Sequence, residues 1–244
     1  MTKNYLQIEF SSGNFFQWSG TEKEGFEKHV SPKDSSKISY RKYFKDGIKG
    51  TLESVNVRES DFGEQLSMTV KDGDNIFYIP INIFDGQKHV DNNYAESLIK
   101  LLPVLQKDKE VLVRGYNFTP EGDKYAKIGI SITQDGVKLK SPLTHAYYKD
   151  GVKTEGDIPA IEWEEKKVLK TVKRMPTAAS LEKRDAYLLG VIEQNEDRLK
   201  WVATGEQQAP KSTTTTKAVQ PASPQQAFES ANSFIPDAKN DLPF

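Results

Sequence analysis

Cationic and flat side chains interleave at two places in this chain. Arg41, Tyr43 and Phe44 follow Tyr40, with Lys49 a little further on; later, Arg114, Tyr116 and Phe118 alternate along one stretch and Tyr125 and Lys127 along the next, with Tyr78 on a segment between the two groups. Single strands expose unpaired bases whose faces stack on aromatic rings at about 1 to 3 kcal/mol per base, while Lys and Arg follow the phosphates. Stacking asks only for a π-face, so these ten residues, taken as one binding set, predict attachment to single-stranded nucleic acid with little sequence preference. The competing reading is that the rings cover the ends of a β-structure or pack under the amino-terminal segment, where Phe15, Phe16 and Trp18 also need partners.

Other chemistries find little purchase. His29, His89 and His145 stand isolated, cysteine is absent, and no HExxH, GxxxxGK[ST] or GxGxxG pattern occurs. The reading is therefore of a non-enzymatic protein with no cofactor or metal. Asp72, Asp74 and Asp85 could gather magnesium as in a nuclease, but the first two read as turn residues and the third as a strand end. With 34 basic and 35 acidic residues the net charge is −1, so no overall field draws the chain to nucleic acid. Charge clusters locally instead: Lys33, Lys37, Arg41, Lys42, Lys45 and Lys49 face only Asp34 and Asp46, and a second basic run holds Lys166, Lys167, Lys170, Lys173 and Arg174. No apolar run approaches membrane-spanning length, and Met1 to Phe10 lacks the pattern of a signal peptide, so a cytoplasmic location is expected, without membrane partners. The sequon at Asn117 is discounted for the same reason.

These residues need elements to position them. Leu6, Ile8 and Phe10, then Phe16 and Trp18, alternate around a turn at Ser11 to Asn14 and predict a hairpin; with a polar connector it forms an amino-terminal extension over 1–44 that packs on the next domain. Between 45 and 140 five strands are expected with one helix between the third and fourth. The first, Ile48 to Arg58, flips its inward parity between Leu52 and Val55, as a bulge would make it do. Leu66, Met68 and Val70 mark the second strand, and Phe77, Ile79, Ile81 and Ile83 the third, in which Pro80 signals an edge or break. Helical spacing over Asp91 to Lys107 is cut short or kinked by Pro103. Val111 to Phe118 and Tyr125 to Thr133 complete the set. This is the arrangement of the five-stranded OB-fold barrel, whose second and third strands and flanking loops bind oligonucleotides and oligosaccharides. The fold class is thus mainly β, with a small helical extension over 141–203, read as helices at 157–174 and 180–201, packed on the barrel or on a neighbouring subunit. From Gly205 the chain is too polar to repay its entropy, so 204–244 is expected to be a disordered tail.

That tail ends on Asp241, Leu242, Pro243 and Phe244. Together with the barrel pattern at Gly47 to Lys140, this ending resembles single-stranded DNA-binding proteins of bacteria and their viruses, with the added hairpin and helical segment more like a bacteriophage version. The resemblance implies a protein that coats single-stranded DNA in replication, recombination and repair. It also implies that the tip from Asp241 to Phe244 docks onto replication enzymes such as a polymerase, helicase or primase. A chain end can be captured by a pocket that offers a cation for the carboxylate and a slot for the ring. An oligomer is compatible with this reading; the runner-up is an interaction scaffold that leaves DNA to others, and third comes the metal-dependent nuclease.

Overall fold

Alternating apolar residues build most of the regular structure among the described residues as strands. In chain order they are β1 (Thr2–Ile8), β2 (Phe15–Ser19), β3 (Glu27–Val30), β4 (Ile38–Phe44), β5 (Ile48–Ser60), β6 (Gly63–Asp72) and β7 (Asn75–Asn82), then helix α1 (Asn93–Ile99). They continue as β8 (Glu110–Phe118), β9 (Lys127–Gln134), β10 (Val137–Lys138), β11 (Tyr148–Lys149), β12 (Val152–Lys153), β13 (Trp163–Val168), β14 (Thr171–Pro176) and helix α2 (Ala178–Leu199). The structure, a computed structural model, describes residues 1–31, 34–61, 63–84, 89–90, 92–168 and 171–200, all of them within one unit, Met1–Val202. Lys33, Asp85, Lys170 and everything from Trp201 on, including the tip at Asp241 to Phe244, lie outside these residues.

Ten strands join one sheet in the order β10-β9-β8-β5-β6-β7-β1-β2-β4-β3. Its heart is the expected set of five strands, β5 to β9, with α1 between β7 and β8. The expected bulge is present, since the β5–β6 register shifts between Leu52 and Ser54 and brings both Leu52 and Val55 onto the core face. The five strands are not closed into a barrel: β7 pairs in parallel with β1, from Thr2 opposite Asn75 to Tyr5 opposite Tyr78. Pro80 lies just past the last of these pairs, where its missing N–H cannot serve a ladder. The amino-terminal hairpin is thus a continuation of the sheet, and the connector supplies β3 and β4 beyond it.

One face of the sheet is apolar. Leu52, Leu66, Met68, Val70, Ile79, Ile81, Val111, Val113, Ile130 and Ile132 are buried on it with Leu6 and Phe15. Within the hairpin the core ring is Phe15, not Phe16 or Trp18: Phe16 is buried on the other face beneath Arg41, and Trp18 is half exposed there. Phe10 belongs to the turn, where its ring meets Tyr94 edge-on at 5.7 Å. Helix α1 is short because Asn92 caps its start, accepting the Tyr94 N–H at 2.9 Å, and Pro103 lies just beyond its end.

Helix α2 begins on Thr177, whose Oγ1 accepts the Ser180 N–H, and buries Leu188, Val191, Ile192 and Leu199, the last two beside Val55, Val57, Leu66 and Leu102. Charged groups fix it. Arg184 reaches Glu96 of α1 at 3.3 Å and donates to the Val90 carbonyl, while Asp185 accepts the Val90 N–H at 3.1 Å and stands 2.6 Å from His89. Glu96 also holds His145 at 2.7 Å. Burial would raise the Glu96 carboxyl, but the His145 hydrogen bond and the charges of His145, Arg184 and Lys100 outweigh it and hold the pKa below its usual value.

The expected helix at 157–174 is instead a loop followed by the β13–β14 hairpin, with Trp163 opposite Pro176 and Glu165 opposite Arg174. Glu and Lys favour a helix over a strand only by tenths of a kcal/mol per residue. Val168, Thr171 and Val172, all β-branched, favour the strand and prevail. The described residues of the 141–203 extension therefore contain one helix, and Ile158 anchors the loop before the hairpin, fully buried and donating its N–H to the Thr144 carbonyl at 2.9 Å. Among the described residues no helix is long and apolar enough to cross a membrane.

Candidate nucleic-acid interface

Residues directly opposite one another on neighbouring strands share a face. Across β8 and β9 the register pairs Arg114 with Ser131, Tyr116 with Gly129 and Phe118 with Lys127, all on the face away from the core. Tyr116 lies over Gly129, where an added Cβ would come within 2.7 Å of the phenol oxygen, so the glycine makes room for the ring. Phe118, tilted against Tyr116 at 6.0 Å between centroids, is 53% exposed. Tyr125 falls in the β8–β9 loop and not on the strand; it is 64% exposed, with the Lys124 ammonium 5.6 Å from its ring centroid. Lys127 is paired with Asp123 at 3.0 Å, and the Arg114 Nε donates to the Asp46 carbonyl at 2.9 Å. Lys49, opposite Leu112 on the same face, is exposed and pairs with Glu110 at 3.3 Å. Four of the ten expected residues, Arg114, Tyr116, Phe118 and Lys127, thus share one face, with Lys49 on it across β5 and Tyr125 in the adjoining loop.

Tyr78 belongs to a second group that sequence reasoning missed. Because β1 runs beside β7, Tyr5 stacks on Tyr78 with centroids 5.0 Å apart and planes at 17°, and the Arg58 guanidinium stands 5.7 Å from the Tyr78 centroid. Arg58 reaches across β6 above Ser67 and Thr69, small buried residues that keep the floor low. Tyr5 is 62% exposed, so the outer side of the stack is open. The alternation of Leu6 and Ile8 already turns Tyr5 outward, but nothing in the sequence announces that β1 would lie beside β7.

The third group is held by contacts among its own members, although the buried Arg41 Nε has no hydrogen-bond partner among the described residues. Arg41 pairs with Glu9 at 3.1 Å and lies over the Phe16 ring at 4.5 Å, and the Tyr43 hydroxyl donates to Glu9 at 2.9 Å. Burial is the main cause that raises the Tyr43 pKa. Phe44 sits on the opposite, core-facing side, edge-on to Phe77 at 5.7 Å. Arg41 and Tyr43 are therefore engaged with Glu9 and Phe16, and none of the three is brought to the Arg114 group.

A cleft of about 290 Å³ opens at the seam between the end of β7 and the start of β9, lined by Phe10, Asn82, Phe84, Asn92, Asn93, Tyr94, Asn117 and Ile128. Its described lining is neutral, aromatic and amide-rich. Tyr94 donates to the Phe10 carbonyl at 3.2 Å, and burial pushes its pKa up to about 12. Asp72 ends β6 and Asp74 lies in the β6–β7 turn, Asp85 lies outside the described residues, and among those described no three His, Asp or Glu side chains gather as a metal site would need. No protein-family model matches this chain, and neither the curated proteins nor the solved structures contain a match to it.

Proposed function

We propose that this protein binds single-stranded DNA with little sequence preference, coating it during replication, recombination or repair. The observation that carries the reading is the open stack of Tyr5 on Tyr78 beneath Arg58, a π-platform beside a cation on an exposed sheet face. Such a pairing suits a base on the ring and a phosphate on the guanidinium. The Arg114, Tyr116, Phe118, Tyr125 and Lys127 group continues the same mixture on β8, β9 and their loop.

We read β5 to β9 with α1 as an OB-type core. The order β9-β8-β5-β6-β7, with a helix between the third and fourth strands, supports this, and OB-folds are partly open barrels whose second and third strands and last loop meet the ligand. Those are β6, β7 and the β8–β9 loop here, where Tyr78 and Tyr125 lie. The tip from Asp241 to Phe244 is proposed to recruit replication enzymes, its spacer raising their effective concentration near the bound strand. Titrating the full chain against fluorescent oligo-dT tests the reading: saturable binding that weakens with salt is expected, and no binding at low salt refutes it.

A further inference from the structure

The β13–β14 hairpin carries a second surface of the same chemistry, placed apart from the sheet. It packs mainly on itself, and its residues from Thr171 to Met175 are all exposed. Its base is fixed by the Thr177 N–H, which donates to the Glu162 carbonyl at 2.8 Å immediately before α2. A lone two-stranded ribbon is marginally stable in water, so its exposed residues contribute little to holding it there.

Its side chains are the unusual feature. Trp163, Glu165 and Lys167 share one side with Pro176, Arg174 and Val172, and the Arg174 guanidinium stands 5.8 Å from the Trp163 centroid. Trp163 is 51% and Val172 64% exposed. On the other side Lys166 is directly opposite Lys173, and like charges so placed destabilise a ladder. Glu164 answers only Lys166, at 2.8 Å, leaving Lys167 and Lys173 with no ion-pair partner among the described residues. Lysines on an exposed edge do guard against aggregation. That role leaves the exposed tryptophan unexplained, and an indole is the best side chain for stacking with a cation beside it.

We propose that this hairpin is an arm around which the sugar–phosphate backbone of a single strand wraps, with Trp163 under a base and Lys167 on a phosphate on one side of the ribbon and Lys173 on a phosphate on the other. The proposal rests on the strand-binding function proposed above and extends it to a surface off the sheet. An anion between Lys166 and Lys173 would relieve their repulsion, which is the charge complementarity that selects nucleic acid over a neutral partner.

The test is a salt series of oligo-dT titrations on the full chain carrying Lys167→Gln and Lys173→Gln together, with Trp163→Phe measured in parallel. Each lost single-strand phosphate contact lowers the slope of log K against log salt by about 0.7, so the double variant should lose about 1.4. Trp163→Phe should remove part of the tryptophan quenching seen on binding. The ribbon lies outside the core, so thermal midpoints should match the parent. An unchanged slope while the parent binds normally overturns the arm and leaves the sheet face standing. A changed oligomeric state with an unchanged slope also overturns it, in favour of a protein contact. Failure of the parent to bind at all removes the function and the arm together.

Discussion

Replacing Tyr5 by Ala separates stacking from charge on the sheet face. Tyr78 has Tyr5 on one side at 5.0 Å, and Arg58 lies 5.7 Å from its centroid, so the open platform belongs to Tyr5. Losing one platform costs about 1 to 3 kcal/mol, a loss of about fivefold to 150-fold in affinity at 1.4 kcal/mol per decade. The fold should lose less, since an aromatic pair contributes about 0.5 to 1.5 kcal/mol beyond burial and this ring is mostly in solvent. Fluorescence anisotropy with labelled oligo-dT at several salt concentrations gives the readout. Tyr5 carries no charge, so the whole binding line should drop without a change in slope, whereas Arg58→Gln should lower the slope by about 0.7. Wild-type affinity in Tyr5→Ala, with the parent binding strongly, would mean that the stack serves only to join β1 to β7, and the proposed interface would be wrong.

Phe118→Ala with Tyr125→Ala should weaken oligo-dT binding at least tenfold in the same assay with unchanged circular dichroism, because both rings are exposed. Arg41→Ala should do the reverse, lowering stability by about 1 to 3 kcal/mol in urea denaturation by breaking the partly buried pair with Glu9, while leaving strand affinity within about twofold of the parent. The folded-state pKa of Glu96 lies below its ordinary 4.5, so its contribution is present above that value and is lost as pH falls through the folded pKa. Denaturation midpoints should accordingly drop below about pH 4.5, and Glu96→Gln should flatten that drop. Deleting Asn240 to Phe244 should leave oligo-dT affinity at or above that of the parent and abolish capture of replication enzymes in a pull-down.

Much of the fold was legible because period-2 alternation is strong where one face is buried. Leu66, Met68 and Val70 or Ile128, Ile130 and Ile132 could hardly be read otherwise, and the Leu52-to-Val55 parity flip announced its bulge. The 157–174 segment misled because its Glu and Lys residues read equally well as a charged helix face, and an exposed ribbon buries nothing that would reveal a period of two. The geometry of the candidate site was legible in part for a related reason. Outward parity could be read for Arg114, Tyr116 and Phe118 from the inward Val111 and Val113, but partners across strands depend on edge pairing. Tyr5 with Tyr78, and Glu9 with Arg41 and Tyr43, are contacts between segments that no local pattern links. The interleaving of Arg41 and Tyr43 is the same as that of the β8 set, and only the structure shows that Glu9 engages them.

One strand accounts both for the open sheet and for the stack at its surface. In a closed barrel the outer edge of β7 would pair with β9; here β1 takes that edge in parallel, which satisfies its backbone groups and removes a template for aggregation. The hairpin then returns to the far side of the seam. Gly13, at φ +77°, crosses Gly115 so closely that a Cβ on either residue would run into backbone, and Asn117 of β8 donates to the Phe10 carbonyl. The two sides of the open seam are thus tied through the hairpin, while the cleft between them stays open. Tyr5 reaches Tyr78 only because β1 sits in this register, with Pro80 just beyond its last pair. Shifting β1 by one residue would turn Tyr5 inward and Leu6 out to solvent, so burial of Leu6 and exposure of the stack are set by the same register.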